Sequence, residues 1–379
     1  ACNRPKPTDR IFIDFSDRID RSEDLSPEIE KVEFFQIGMT TPIEYPSNIR
    51  LMNDRIFFID RGGSYRSRIN AVVAVDLKGS ILWKNDRKGK GPGEFQYITD
   101  LVVLPGSDQV VINDPWSNKL LFFNSDGKYL NQIEFLLKAR KLVELDPGTI
   151  VANVEKGIDP NNPDQQIRYD LAFLDHKGNI INHALPNKHT GKDWFWFGET
   201  LLQGGNQLLY TNTLTYSIYE VTRDGASPRW TLDFGQYNAD TARYLYAKTA
   251  ADGPMVASMS ESSTGVLAFR VIHTPKNLWV LVPHDQKMNL ELINKKTHKI
   301  SHYRKPAKTD FIYKGIPVPV FELTQNGEVI LYTLTALDAR EKWDELSAEQ
   351  KATADPKWRK LMETIDPEGN PIIVMIWPR

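Results

Sequence analysis

The chain has 379 residues, of which 41% are hydrophobic and 25% are charged, a composition typical of a globular rather than a disordered protein. Its 47 Lys and Arg residues nearly balance 49 Asp and Glu residues, which leaves no basic surplus for a polyphosphate backbone and argues against a nucleic-acid partner. No run approaches the roughly 18 consecutive apolar residues that a membrane-spanning helix needs.

The single cysteine, Cys2, excludes an internal disulfide and precedes a polar tract, Asn3–Asp9. A cysteine that opens a mature chain ahead of a polar tract resembles the N-terminus of a bacterial lipoprotein, in which a signal peptide is removed and the thiol carries lipid. We therefore predict a flexible tether over residues 1–27, with Cys2 as the lipid-anchor cysteine and membrane contact only through that lipid. An incidental cysteine is the alternative.

One pattern recurs along the rest of the chain: two apolar runs, an Asp/Asn-x-x-Gly turn and a third apolar run. Its first four turn glycines are 48, 51 and 47 residues apart, at Gly79, Gly127, Gly178 and Gly225. Two further copies follow, over 278–303 and over 328–377. Such turns close hairpins because they need positive φ. Short strands at this spacing predict an all-β fold, a six-bladed β-propeller of four-stranded antiparallel blades over residues 28–379.

Two stretches break this period and predict helical inserts, at about residues 236–265 and 338–365. The first contains Asp240–Met259. In the second, Ser347 and Gln350 match a capping box, and Asp355 is an N-cap residue before a proline at the first helical position.

The sixth copy lacks one strand of a four-stranded blade. The apolar run Glu30–Ile37 has the right length to supply it. Because closing the ring removes unpaired sheet edges, we predict that this N-terminal strand pairs with the C-terminal strand Pro371–Trp377. The alternative is that it adds an extra strand to the first blade.

A glycine-rich run lies between the first and second copies, at Gly89–Phe95 (GKGPGEF). It resembles the G-x-G-P-G-E-F signature of the six-bladed β-propeller lipoproteins common in gut anaerobes, a family similar to NHL-repeat and TolB-like propellers. The resemblance extends from about Glu28 to Trp377. It implies a surface or periplasmic protein that binds carbohydrate or peptide, and it provides no catalytic motif.

Other motifs favour structural interpretations. A strand, not a helix, follows the glycine run, which favours a loop between blades over a phosphate-binding loop. His298 and His302 would lie about 13 Å apart in a strand, too far to share a metal ion. The Asp159–Asp164 loop has a proline where calcium needs a ligand. We therefore expect no metal and no cofactor, and the sequence names no catalytic residue.

Propeller geometry indicates where a ligand would bind. The first strand of each blade lines the central channel, and the loops between second and third strands open on one face together with the crossings between blades. Loops on a rigid scaffold are where binding groups concentrate, and aromatic rings beside charged groups suit sugars. The candidate ligand-binding residues are Asp60, Arg61, Tyr97, Asp114, Trp116, Glu155, Lys156, Trp196 and His284. Phe95 and Phe197 are expected to pack between blades instead.

Three functional hypotheses follow. The first is a non-catalytic propeller of the cell envelope, in the periplasm or at the outer-membrane surface, that binds a small molecule, saccharide or peptide on its loop face. The second is a glycan lyase or hydrolase that uses funnel carboxylates such as Asp60, Asp114 or Glu155. The third is a scaffold in an envelope complex, with the two inserts as contact surfaces for a partner protein.

Overall fold

The computed structural model describes residues 9–15, 21–62, 69–159, 162–166, 169–186, 201–212, 216–238, 265–266, 269–306, 310–319 and 323–379. These residues form the six four-stranded antiparallel blades of a propeller, which confirms the predicted fold; one added parallel strand and one separate hairpin lie outside the blades.

Two strands precede the first blade, β1 (Asp9–Phe12) and β2 (Ile29–Gln36). Blade one contains β3 (Pro46–Met52), β4 (Arg55–Gly62), β5 (Ile69–Asp76) and β6 (Ile81–Asn85). Blade two contains β7 (Asp100–Leu104), β8 (Gln109–Asp114), β9 (Lys119–Asn124) and β10 (Tyr129–Glu134). Blade three contains β11 (Leu137–Asp146), β12 (Thr149–Asp159), β13 (Asn162–Gln166), β14 (Tyr169–Leu174) and β15 (Ile180–Pro186). The short strand β13 pairs only with β12, beside the four-stranded path of its blade.

Blades four and five contain β16 (Leu201–Gly204), β17 (Gln207–Asn212), β18 (Ser217–Thr222) and β19 (Gly225–Asp233), then β20 (Arg270–His273), β21 (Asn277–His284), β22 (Lys287–Asn294) and β23 (Ile300–Pro306). A separate hairpin, β24 (Phe311–Tyr313) and β25 (Ile316–Val318), leads to the sixth blade, which contains β26 (Thr324–Asn326), β27 (Val329–Leu334) and β28 (Ile372–Pro378).

The first strands of the blades surround the central axis. Each contacts the first strand of both neighbouring blades, in the order β3, β7, β11, β16, β20, β26 and back to β3. Six apolar clusters fill the spaces between neighbouring blades, one cluster for each blade-to-blade interface of the described residues. Burial of these clusters is the main force that holds the ring together.

The N-terminal strand β2 is the outermost strand of the sixth blade. It pairs antiparallel with β28, from Ile29 opposite Pro378 to Gln36 opposite Ile372. The side chain of Asn370 adds polar links to the connection after β2, because its amide donates to the Gly38 and Thr41 carbonyls at 2.8 and 2.9 Å. Strand β2, which precedes the first blade, and the last strand β28 therefore belong to one sheet.

The second predicted insert forms three short helices, α1 (Ala336–Asp344), α2 (Ala348–Thr353) and α3 (Pro356–Thr364). The capping box of Ser347 and Gln350 and the N-cap at Asp355 are both present. Trp358 of α3 is completely buried and packs edge-on against Phe34 of β2, with ring centroids 5.0 Å apart. The first predicted insert, Asp240–Met259, lies outside the described residues.

The tether predicted for residues 1–27 is wrong for residues 9–15 and 21–27. Strand β1 pairs in parallel with β19 on the edge of the fourth blade. Ile11, Ile13 and Phe15 alternate with polar or exposed residues and are buried against the blade-four and blade-five cluster, and Leu25 is also buried. The period of two that marks a half-buried strand is therefore present in this segment. Cys2 lies outside the described residues.

Candidate functional site

The predicted site lies on the face where second strands end and where the chain crosses into the next blade; we call it the loop face. Two aspartates at the ends of second strands, Asp60 of β4 and Asp114 of β8, anchor these crossings. Asp60 is 4% exposed and accepts hydrogen bonds from the backbone N–H groups of Glu44 and Tyr45, both at 3.1 Å. Lys84 lies 3.4 Å from its other oxygen.

Asp114 anchors two loops at once. It is completely buried and accepts hydrogen bonds from the backbone N–H groups of Gln96 at 2.7 Å and Tyr97 at 3.2 Å. It also accepts from the N–H groups of Trp116 and Ser117, each at 3.2 Å. Both carboxylates serve backbone donors that would otherwise be left without acceptors.

Arg61 also braces a crossing. Its guanidinium donates to the backbone carbonyls of Ile98 and Thr99 at 3.0 and 3.1 Å and to the side chains of Ser47 and Asn48 at 2.8 and 3.1 Å. The half-buried side chain thus links the first strand of blade one to the segment that enters blade two.

Tyr97 and Trp116 are the exposed part of the predicted site. Their rings stack with centroids 4.9 Å apart and planes 23° apart. The Trp116 side chain is nevertheless 68% exposed, the largest value among the exposed large hydrophobic residues that the structure describes. One face of the indole is therefore covered by the phenol ring, and the other is open to solvent. Asp114 holds the backbone of both residues, so the stack is preorganised.

The glycine signature forms a structural loop that precedes Tyr97 in the chain. The side chain of Glu94 folds back and accepts a hydrogen bond from the N–H of Gly91 at 2.9 Å. A Cβ on Gly89 would lie 2.0 Å from the same carboxylate, so a larger residue there would displace the Glu94 side chain from its hydrogen bond with Gly91. Phe95 is 2% exposed and packs between blades one and two, as predicted. The loop is therefore occupied by its own carboxylate and offers no space for a phosphate.

The remaining predicted residues are not brought to this stack. His284 is 8% exposed and is covered by Phe15, at 5.3 Å between ring centroids, and by Tyr237, at 4.6 Å. The N-terminal segment, which the sequence analysis treats as a tether, provides one of these covering rings. For Glu155 and Lys156 only the backbone, within β12, is described. Trp196 and Phe197 lie outside the described residues.

A cavity that the sequence does not reveal lies on the propeller axis. It has a volume of about 200 Å³ and is lined by residues of five first strands and the hairpins that follow them. Because these residues lie toward the ends of the first strands, the cavity lies away from the loop face. Its polar lining residues are Arg50, Lys141, Glu144, Gln203, Gln325 and Asn326. No linear motif marks them, since they come from four separate blades.

No described helix is long and apolar enough to cross a membrane. No group of three or more His, Cys, Asp or Glu residues in the described ranges is arranged to hold a metal ion.

Two of the solved structures that resemble the chain show the same fold. The chain resembles a protein of Bacteroides fragilis NCTC 9343 described as a "Putative exported protein", with a TM-score of 0.74, 16% identity, and coverage of 98% of this chain and 99% of that one. It also resembles a DUF4221 family member of Bacteroides vulgatus ATCC 8482, with a TM-score of 0.54, 11% identity, and coverage of 93% and 97%. At these identities the likeness shows the fold alone. No curated protein matches the chain significantly.

A family model described as "Domain of unknown function (DUF4934)" matches residues 43–376. This range includes all six blades except the closing strand β2 and the last residues of β28. The chain belongs to this family.

Proposed function

We propose that this member of the DUF4934 family is a ligand-binding propeller of the cell envelope, and that it binds a saccharide on the open face of Trp116. The observation that carries the proposal is the stack of Trp116 on Tyr97, with the outer indole face exposed on a rigid loop. A flat aromatic face suits the C–H face of a sugar ring, and burial of both surfaces upon binding is favourable.

The anchoring by Asp114 supports this proposal. A platform held in its binding conformation loses little conformational entropy when the ligand arrives. Tyr45 occupies the corresponding crossing of blade one, where Asp60 holds its N–H as Asp114 holds that of Tyr97, and its side chain is 53% exposed. Two neighbouring crossings thus present an aromatic residue on the same face.

No comparable observation favours the other two hypotheses. The carboxylates proposed for catalysis, Asp60 and Asp114, are buried and hydrogen-bonded to the backbone, and the side chain of Glu155 is not described. On the described helical insert, the large apolar residues Trp343, Trp358 and Met362 face the core, and Leu337 is the exposed large hydrophobic residue. A broad apolar contact surface is therefore not present on α1 to α3.

An envelope location rests on a separate line of support. The structural neighbour from Bacteroides fragilis is described as exported, and the position of Cys2 ahead of a polar tract suits lipid attachment. We propose that Cys2 carries a lipid anchor. We also propose that the propeller is related to NHL-repeat and TolB-like propellers.

Metabolic labelling with a radioactive fatty acid tests the anchor: we expect labelled wild-type protein in the membrane fraction and no label on Cys2→Ser. Label on both, or on neither, would contradict it.

The binding proposal is tested by a glycan array with a peptide array in parallel, using wild-type protein, Trp116→Ala and Leu82→Ala. Leu82 is a matched control because it is an exposed apolar residue of blade one, 44% exposed and outside the loop face. We expect glycan binding that weakens at least about tenfold in Trp116→Ala, equivalent to about 1.4 kcal/mol, and is unchanged in Leu82→Ala. Binding only to peptides, equal binding by Trp116→Ala, or no binding in either array would refute the proposal.

A further inference from the structure

We propose that the axial cavity is a second ligand site, distinct from the Tyr97–Trp116 stack, and that it binds a small zwitterion such as a free α-amino acid, with the ammonium at Glu144 and the carboxylate at Arg50. The cavity is bounded by residues of β3, β7, β11, β16 and β26, so five blades form its wall. A site built from so many strands is held rigidly by the closed ring.

The size of the cavity limits the ligand. Its volume of about 200 Å³ is below the range of roughly 300–1,000 Å³ that is typical of sites for drug-sized molecules. A molecule the size of a small amino acid fits within this space, whereas an oligosaccharide would extend beyond it.

Glu144 supplies the negative charge. Its backbone carbonyl accepts a hydrogen bond from Gln203 at 3.2 Å, but within the described residues its carboxylate has no hydrogen bond and no ion pair. Burial raises the pKa of this carboxyl, and the nearby negative charge of Asp146 raises it further. Asp146 already has a cation of its own, because Arg223 contacts both its oxygens at 2.5 and 2.6 Å. An ammonium group beside Glu144 would compensate an otherwise unpaired charge.

Arg50 supplies the donors for a carboxylate. It is 5% exposed, lines the cavity, and donates to the carbonyl of Ile49 at 2.9 Å and to Asp100 at 3.2 Å. These two bonds use two of the five N–H donors of a guanidinium. Asp100 is completely buried and fixes the guanidinium in place while also accepting from the N–H of Leu142 at 2.7 Å. Lys141, also buried, adds a second positive charge to the lining.

Charge balance therefore favours a zwitterion over a simple cation or anion. The lining contains Arg50, which is paired with the buried Asp100 but keeps N–H donors to spare, and Glu144, whose carboxylate has no cation of its own within the described residues. A simple cation would leave the spare Arg50 donors without an acceptor, and a simple anion would leave Glu144 without a partner. A ligand with both groups satisfies both side chains.

Isothermal titration calorimetry on the full chain tests this proposal with defined probes: glycine, alanine, tryptophan, methylammonium and acetate. We expect glycine and alanine to bind, methylammonium and acetate to bind at least about tenfold more weakly, and tryptophan to be excluded by its size. Glu144→Gln should reduce alanine binding at least about tenfold, whereas Trp116→Ala should leave it unchanged. That last variant separates failure of this site from failure of the loop-face proposal.

A second variant guards against misfolding of the first. Gly205 lines the cavity with φ of +57°, and a Cβ there would meet nothing within 4 Å. Gly205→Asn is therefore tolerated by the fold, since Asn adopts this conformation more readily than most residues, and it narrows the cavity. Loss of alanine binding in Gly205→Asn would support the site. Equal binding by wild-type protein and both variants, or no binding of either small amino acid, would overturn it.

Discussion

Asp114 should be among the most costly single residues to remove from the loop face. Its side chain is completely buried and accepts four backbone hydrogen bonds, from Gln96, Tyr97, Trp116 and Ser117, at 2.7 to 3.2 Å. A buried donor left without an acceptor costs about 1–3 kcal/mol. Because loop donors can regain water in part, we expect Asp114→Ala to lower the free energy of unfolding by about 3–5 kcal/mol.

Chemical denaturation followed by intrinsic fluorescence measures this loss. Asp126→Ala is the control, since Asp126 is 69% exposed and its described ion pair is to Arg55, at 2.7 Å. An exposed pair of this kind is worth less than about 1 kcal/mol. Asp114→Asn, which keeps one carbonyl oxygen, should fall between these two variants. If Asp114→Ala unfolded within 1 kcal/mol of the wild-type protein, the anchoring role assigned to this carboxylate would be incorrect.

Three further changes test other parts of the fold. Gly89→Ala should destabilise the protein by about 1–3 kcal/mol because its Cβ would meet Glu94 at 2.0 Å, and in a double-mutant cycle Glu94→Ala should remove most of that cost. Trp358→Ala should cost about 3–5 kcal/mol and increase amide exchange in β2, and unchanged exchange there would contradict the packing of α3 on the closing strand. His273 is completely buried, and burial, with a smaller effect of Lys295, lowers its pKa from 6.5 to about 3. The unfolded chain therefore binds the extra proton first, so wild-type stability should fall as pH drops from about 6.5 toward 3, and His273→Gln should flatten that dependence in denaturation measured across this range.

The fold could be predicted from the sequence because its information is local and periodic. The turns at Gly79, Gly127, Gly178 and Gly225 recur at nearly constant spacing, and all four have positive φ in the structure. The capping signals at Ser347 and Asp355 depend on residues within four positions of each other. The N-terminal segment was predicted as a tether because polar and charged residues dominate it. Its strand signal is only three alternating apolar residues, Ile11, Ile13 and Phe15.

The site was harder to predict because its residues act through contacts between blades. Asp60, Asp114 and Trp116 have the residue types of a sugar site, and only the three-dimensional contacts separate the buried anchors from the exposed ring. His284 depends on Phe15, a residue 269 positions earlier in the chain. The axial cavity combines Arg50, Glu144 and Gln325, which no spacing rule links. These residues come together only when the ring of blades closes, so no local sequence pattern marks them.

The most direct test of the central claim is a crystal structure of the protein with a glycan identified by the array. We predict that a sugar ring lies against the outer face of the Trp116 indole, with Tyr97 still stacked beneath it and Asp114 still holding both loops. A sugar bound at any other surface, with the Trp116 ring left bare, would contradict the account.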